Sequence, residues 1–159
     1  MHFIDLFKSL PAEAAVIITS ALPIIEVRGA VPLGYLYYKL SPLKVILLST
    51  IGGVLPVFPI LWFLENITEG LRKIKIFDRF FERLFEHTRA KSGIIEKFEL
   101  VGLTLFMALP IPGTGVWTGC IAAYLLDLPW GSTFICAVIA TLIASVAVMV
   151  ATLGFIKIF

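Results

Sequence analysis

The chain has 159 residues, 59% of them hydrophobic and 15% charged, with a formal charge of +2 and a mean hydropathy of +1.00. A soluble domain carries nearer a quarter charged residues, so this composition excludes one and points to an integral membrane protein. The basic residues are mixed with acids and form no long run, which argues against nucleic acid as a partner; Cys120, Cys136, His2 and His87 show no ligand spacing, so neither a metal nor a cofactor is expected.

Residues 1–10 read as a short amphipathic lead at the headgroup level, with Phe3, Phe7 and Leu10 at helical spacing. Asp5 balances Lys8 and no small-x-small site precedes Glu26, so cleavage as a signal peptide is not expected. Two apolar pieces follow, 14–25 and 29–38, of 12 and 10 residues. Each makes roughly 15–18 Å of helix, about half of a hydrocarbon core of about 30 Å.

Between these pieces lies the breaker IEVRG. Pro23 precedes it and Gly29, Pro32 and Gly34 follow, so these residues are expected to open the helix there. Charge in such surroundings is a functional candidate by default. In unwound backbone, Glu26 and Arg28 can converge on one ligand, Arg28 as a planar cation suited to phosphate or carboxylate and Glu26 as a partly desolvated carboxyl that binds and releases a proton. The plainer alternative is a shallow pair that anchors the tip.

Residues 45–64 then run for 20 positions without charge, enough to span, with Gly52, Gly53, Pro56 and Pro59 expected to bend the helix. The polar stretch 65–99 holds eight of the thirteen Lys and Arg residues, which makes it cytoplasmic by the positive-inside rule. Within it Leu71, Ile74, Phe77, Phe81, Leu84 and Phe85 recur at helical spacing, an amphipathic helix resting on the membrane or the cytoplasmic end of the core.

A second pair of short apolar pieces, 100–109 and 116–126, flanks the uncharged breaker PIPGTG. Pro110, Pro112 and Gly119 are expected to break the helix. Gly113, Thr114 and Gly115 offer successive amides, and the hydroxyls of Thr114 and Thr118 add polar contacts, a nest that favours an anion. Trp117 lines the path or packs, and Asp127 sits at the segment edge. Residues 128–156 form a 29-residue uncharged run, the second span, with Ala140, Ala144, Ala147 and Ala151 as a small-residue face for packing within the chain or against a second copy.

The two halves share one skeleton. Ala-Leu-Pro-Ile occurs at 21–24 and at 108–111, Tyr37 matches Tyr124 and Pro42 matches Pro129, all at an offset of 87 residues. If each short pair enters and leaves on one side, each half contains one crossing and the halves are inverted in the membrane. If each pair crosses, the halves are parallel and the chain is a kinked bundle.

On the runs PIIEVRGAVPLG and ALPIPGTGVWTG, the chain resembles the small multidrug export protein family, which is similar to the wider DedA superfamily of membrane proteins. The resemblance spans nearly the whole chain. It implies two re-entrant hairpins meeting in the membrane, each followed by a spanning helix, and a role in moving lipid-like or amphipathic molecules between leaflets. In the DedA relatives these are carrier-lipid phosphates or phospholipids, often linked to the proton-motive force. Glu26 and Arg28 match the acidic and basic positions of the family's first hairpin, and residues 110–115 match the second. The further acids and arginines of the DedA relatives near the second hairpin are absent here.

The expected architecture is an all-α membrane domain of two inverted repeats. Repeat 1 covers 11–64, with hairpin 11–42 and span 43–64; repeat 2 covers 100–158, with hairpin 100–128 and span 129–158; a cytoplasmic linker, 65–99, joins them. The expected function is a multi-pass translocase of the cell membrane, moving an anionic lipid-like substrate with a proton or another ion. Membrane lipids are its partners, and a homodimer is compatible with the small-residue face. Rival readings are a non-transporting scaffold that deforms the bilayer and an exporter of small amphipathic compounds. An enzyme is not expected, because the sequence offers no nucleophile-base pair, metal set or phosphate loop.

Overall fold

The computed structural model describes residues 10–71, 94–109 and 115–158, and every regular element among them is helical. α1 (Ala12–Ala21) ends before Pro23, and α2 (Glu26–Pro32) follows a tight turn. Pro32 cannot donate to the helix ladder, and the chain widens after it into a π turn, Leu33–Tyr37, in which the Tyr38 amide reaches the Leu33 carbonyl at 3.1 Å. α3 (Pro42–Val54) starts with proline at its first position, where the missing N–H costs nothing. α4 (Val57–Leu71) continues after an interruption at Leu55 and Pro56. α5 (Ile94–Ala108), α6 (Val116–Leu125) and the unbroken α7 (Trp130–Ile158) complete the described chain.

Two stretches are long and apolar enough to cross a membrane, Pro42–Asn66 over α3 and α4, and Trp130–Phe155 in α7. Element ends recur at the 87-residue offset: α1 stops at Ala21 and α5 at the matching Ala108. Each half also leaves its second short helix through a residue with positive φ, Lys39 at 55° and Asp127 at 56°, shortly before Pro42 and Pro129.

Some boundaries differ from the sequence reading. α4 runs to Leu71 rather than stopping at 64, and α5 begins at Ile94 rather than 100. Polar residues do not end a helix when the ladder continues, and the Asn66 side-chain amide donates to the Trp62 carbonyl one turn back. Gly29, Gly34 and Gly119 were expected to break helices, yet all three lie in helical turns; glycine costs only about 1 kcal/mol there. The amphipathic helix expected from Leu71 to Phe85 extends outside the described residues, as do Phe3, Phe7, Pro110, Pro112, Gly113 and Thr114.

α7 is the spine, packing against α2, α3, α4, α5 and α6. α1 lies along α3, and α5 along α7, each within its own half; the outgoing helices cross over, α2 onto α7 and α6 onto α4. Gly52 permits the closest of these approaches, since a Cβ there would collide with the backbone carbonyl of Ile17. At the far rim the Trp130 indole donates to Glu65 at 2.6 Å.

The burial pattern is that of a protein solvated by lipid. Large apolar side chains such as Leu43, Trp62, Phe63, Ile135 and Val150 face outward, while Thr19, Ser20, Ser49, Thr133, Thr141 and Ser145 are buried. Small and hydroxyl-bearing residues let helices approach closely where hydrocarbon outside supplies no hydrophobic drive between them. Together with the two apolar spans, this identifies a membrane protein. Of the predicted alanine face, Ala140 and Ala144 pack inside the chain, whereas Ala147 and Ala151 are exposed beside Pro32 and Leu36.

Candidate functional site

The two breakers meet. Glu26 opens α2 with a left-handed φ of 48°, a backbone state that costs a non-glycine residue about 1–2 kcal/mol and therefore needs compensation from its surroundings. Its carboxylate accepts hydrogen bonds from the backbone amides of Val116 and Trp117, the first turn of α6. Those amides are unpaired donors at the positive end of a helix, and a carboxylate is a natural occupant. Glu26 is only 8% exposed. Gly115 makes the seat: a Cβ on it would overlap the Glu26 carboxylate, so any other residue forces that group to shift.

Arg28 completes the bridge on the other side. Its Nη2 donates to the Leu109 carbonyl at 3.1 Å, just past the end of α5, and its Nη1 lies 3.7 Å from Glu26 Oε2. A cation at a helix C-terminus and an anion at a helix N-terminus are both favoured by the backbone dipoles. The acid and the base of the first half thus fit the two open helix ends of the second.

Trp117 returns the contact. Its indole Nε1 donates to the Ala21 carbonyl at 3.1 Å, the last residue of α1. In each half, therefore, the carbonyl end of the first short helix is capped by a side chain from the other half. Trp117 was expected either to pack or to line the path; its specific donor role shows itself only when Ala21 and Trp117 are brought together.

The remaining candidates fall in several places. The Thr118 hydroxyl donates to the Gly115 carbonyl within its own first turn, which removes it from the set converging on Glu26 and Arg28. Pro23 stands at the exposed hairpin turn beside Ile24, which is 89% exposed. Gly34 is buried between Val16 and Val45, and Gly119 against Met107. Asp127 is an exposed left-handed residue after α6. Cys120 and Cys136 are free and buried in the apolar core around α6 and α7.

A cavity of about 10 Å³ adjoins the pair, lined by Ser20, Glu26, Arg28, Gly53, Thr141 and Ala144 among others. That is room for about one water molecule and for no substrate, so the conformation is closed around the site. Ser20 and Thr141 escaped the sequence reading. For Thr141 the signal was a step of four in an apolar helix, Thr133-Ala137-Thr141-Ser145 in α7; Ser20 in α1 had none of that length. The Ser20 hydroxyl donates to the Ser49 carbonyl at 2.5 Å and the Thr141 hydroxyl to the Ala137 carbonyl at 2.6 Å. The hydroxyls of Thr19, Ser49 and Ser145 are buried with no protein partner, which would cost each about 1–3 kcal/mol if nothing else met them.

Among the described residues no three His, Cys, Asp or Glu side chains gather as a metal site. A family model described as "Putative small multi-drug export protein" matches residues 26–147. No curated protein and no solved structure matches the chain.

Proposed function

The chain belongs to the small multi-drug export family, and on that premise we propose that it is a carrier, not an enzyme, that moves an amphipathic anionic molecule across the membrane at the crossing of its two breakers. One observation carries this reading: the α6 N-terminus, with Arg28 beside it, is an anion seat held by the chain's own Glu26. A substrate phosphate or carboxylate competes for the Val116 and Trp117 amides and for Arg28. Protonation of Glu26 removes its charge and frees the seat, which couples anion binding to proton uptake. The substrate class is lipid-like, such as a polyprenyl phosphate or a phospholipid, because a partly buried planar cation beside helix amides suits a phosphate head group.

The reading takes the two short helix pairs as re-entrant hairpins and the halves as inverted. The recurrence of helix ends at one offset and the reciprocal caps at Ala21 and Leu109 support this arrangement. So does the exposed apolar side chain of Ile24 at the first turn, which suits hydrocarbon better than water. Rocking of one half against the other exposes the site to alternate sides.

The test is transbilayer movement of a fluorescent polyprenyl phosphate, beside a neutral lipid, in liposomes carrying wild type, Arg28→Ala or Glu26→Gln, with and without a pH gradient. Movement of the phosphate alone, abolished by Arg28→Ala and made insensitive to the gradient by Glu26→Gln, is the expected result. Equal movement of both lipids in all variants indicates bilayer thinning by the hairpins and overturns the proposal. If neither lipid moves, the lipid-translocase reading fails and the scaffold or soluble-compound readings take its place.

A further inference from the structure

The buried hydroxyls line up along one seam. Gly53 of α3 lies against Thr141 of α7 and Ser20 of α1, its Cβ position being 3.0 Å from Thr141 Cγ2 and 3.3 Å from Ser20 Oγ. Eight residues earlier on α3, Val45 clusters with Met149, eight residues later on α7. The helices therefore run antiparallel in steps of four, which puts Ser49 and Ser145 at one level midway between these two contacts. Both are 0% exposed and both hydroxyls lack a protein partner. On one side of this level Ser20 and Thr141 line the water-sized cavity that reaches Glu26. On the other side Val31, Val45 and Met149 form a buried apolar cluster.

We propose that, when the closed seam opens to admit water beyond the single molecule its cavity holds, Ser20, Ser49, Thr141 and Ser145 line a file of water molecules that conducts protons between α3 and α7 to Glu26, with Val31, Val45 and Met149 as its plug. Two unpartnered hydroxyls at one level of an apolar interface are a place where water gains hydrogen bonds that the protein does not supply. In the transfer step the water beside Glu26 gives a proton to the carboxylate and takes one from the next water or hydroxyl, which is replenished in turn, so each member ends neutral and one proton enters at the far end. The ionisable neighbour against Glu26 in the described structure is Arg28 on its own helix; α1, α3, α5, α6 and α7 bring Ser20, Gly53, Met107, Val116 and Thr141 to the same cavity. The inference rests on the proton-carrying role proposed for Glu26 and adds the route.

The experiment applies a pH jump to full-length protein in lipid nanodiscs and follows the carbonyl stretch of protonated carboxyls by infrared spectroscopy, with Glu26→Gln assigning the Glu26 band. Ser49→Ala/Ser145→Ala should slow protonation of Glu26 at least tenfold without moving its titration midpoint. Val45→Ala, which thins the plug, should speed it, and provides an independent reading if the double variant does not fold. Unchanged rates in both variants, with the band still titrating, sink the water file and leave the role of Glu26 standing. A Glu26 band that does not titrate in wild type overturns that role, and the file with it.

Discussion

The two breakers come from one skeleton but have become chemical opposites. The first, around Glu26 and Arg28, carries both charges; the second, from Leu109 to Trp117, offers a backbone carbonyl and backbone amides at its described ends. Each lacks what the other supplies. Two similar segments thereby fit each other, with the charges of one half satisfying the helix ends of the other. The lesson is that charged groups in an apolar helical bundle need not pair with opposite charges alone, because helix termini serve as partners of either sign.

The comparison is broken most severely at Gly115. Gly115→Ala pushes a Cβ into the Glu26 carboxylate, the movable end of a long side chain, and should weaken its bonds to the two amides; a loss of about 1.5–3 kcal/mol, the worth of one charged-acceptor bond, is expected in thermal unfolding of the detergent-purified protein. An Ala variant as stable as wild type would mean that Glu26 is not seated there. Next comes Arg28→Ala, which leaves the Leu109 carbonyl and Glu26 without this donor; because the side chain is partly exposed, about 2 kcal/mol is expected, together with the loss of transport. Arg28→Lys should restore stability more than transport, since a point charge cannot reach both partners as a planar fork does.

Trp117→Phe sharpens the comparison by removing only the indole donor. It should cost about 1 kcal/mol, the usual value of one neutral hydrogen bond, and equal stability of Phe and Trp variants would count against the reciprocal cap. The smallest effect lies at the outer end of the first hairpin, where Glu13 and Lys44 form an exposed pair at 2.6 Å. The Lys44 ammonium holds the Glu13 carboxyl below its ordinary value of 4.5. With the folded value depressed, the pair's contribution is present above pH 4.5 and fades as pH falls through the lower folded value. Glu13→Gln should therefore lower the melting temperature slightly at pH 7 and by progressively less as pH falls below 4.5; a drop independent of pH would contradict the pairing.

The spans were legible in the sequence because a long uncharged run leaves few alternatives, and α7 lies within two residues of its expected limits at both ends. Glu26 and Arg28 were legible as candidates because charge beside Pro and Gly in apolar sequence is conspicuous. Their partners were not. The expectation of an anion seat at the second breaker did not anticipate that Glu26 itself would contact Val116 and Trp117, since a hydrogen bond between residues about ninety positions apart leaves no periodic trace. The glycine breaks misled for a related reason: Gly119 serves packing against Met107, which local propensity cannot distinguish from a stop. The hydroxyl seam was visible as a step of four, but serine and threonine are so easily accommodated in apolar helices that the step alone carried no weight.

The bond from Arg28 to Leu109 also sets a timetable for synthesis. Its two partners are 81 residues apart, and a ribosome adding about 5–20 residues per second takes roughly 4–16 s to cover that distance. For all of that interval the first hairpin has its acid and base but not the helix ends that neutralise them. The charge-bearing segment therefore waits for its partners, and the site is complete only once the second breaker has been made.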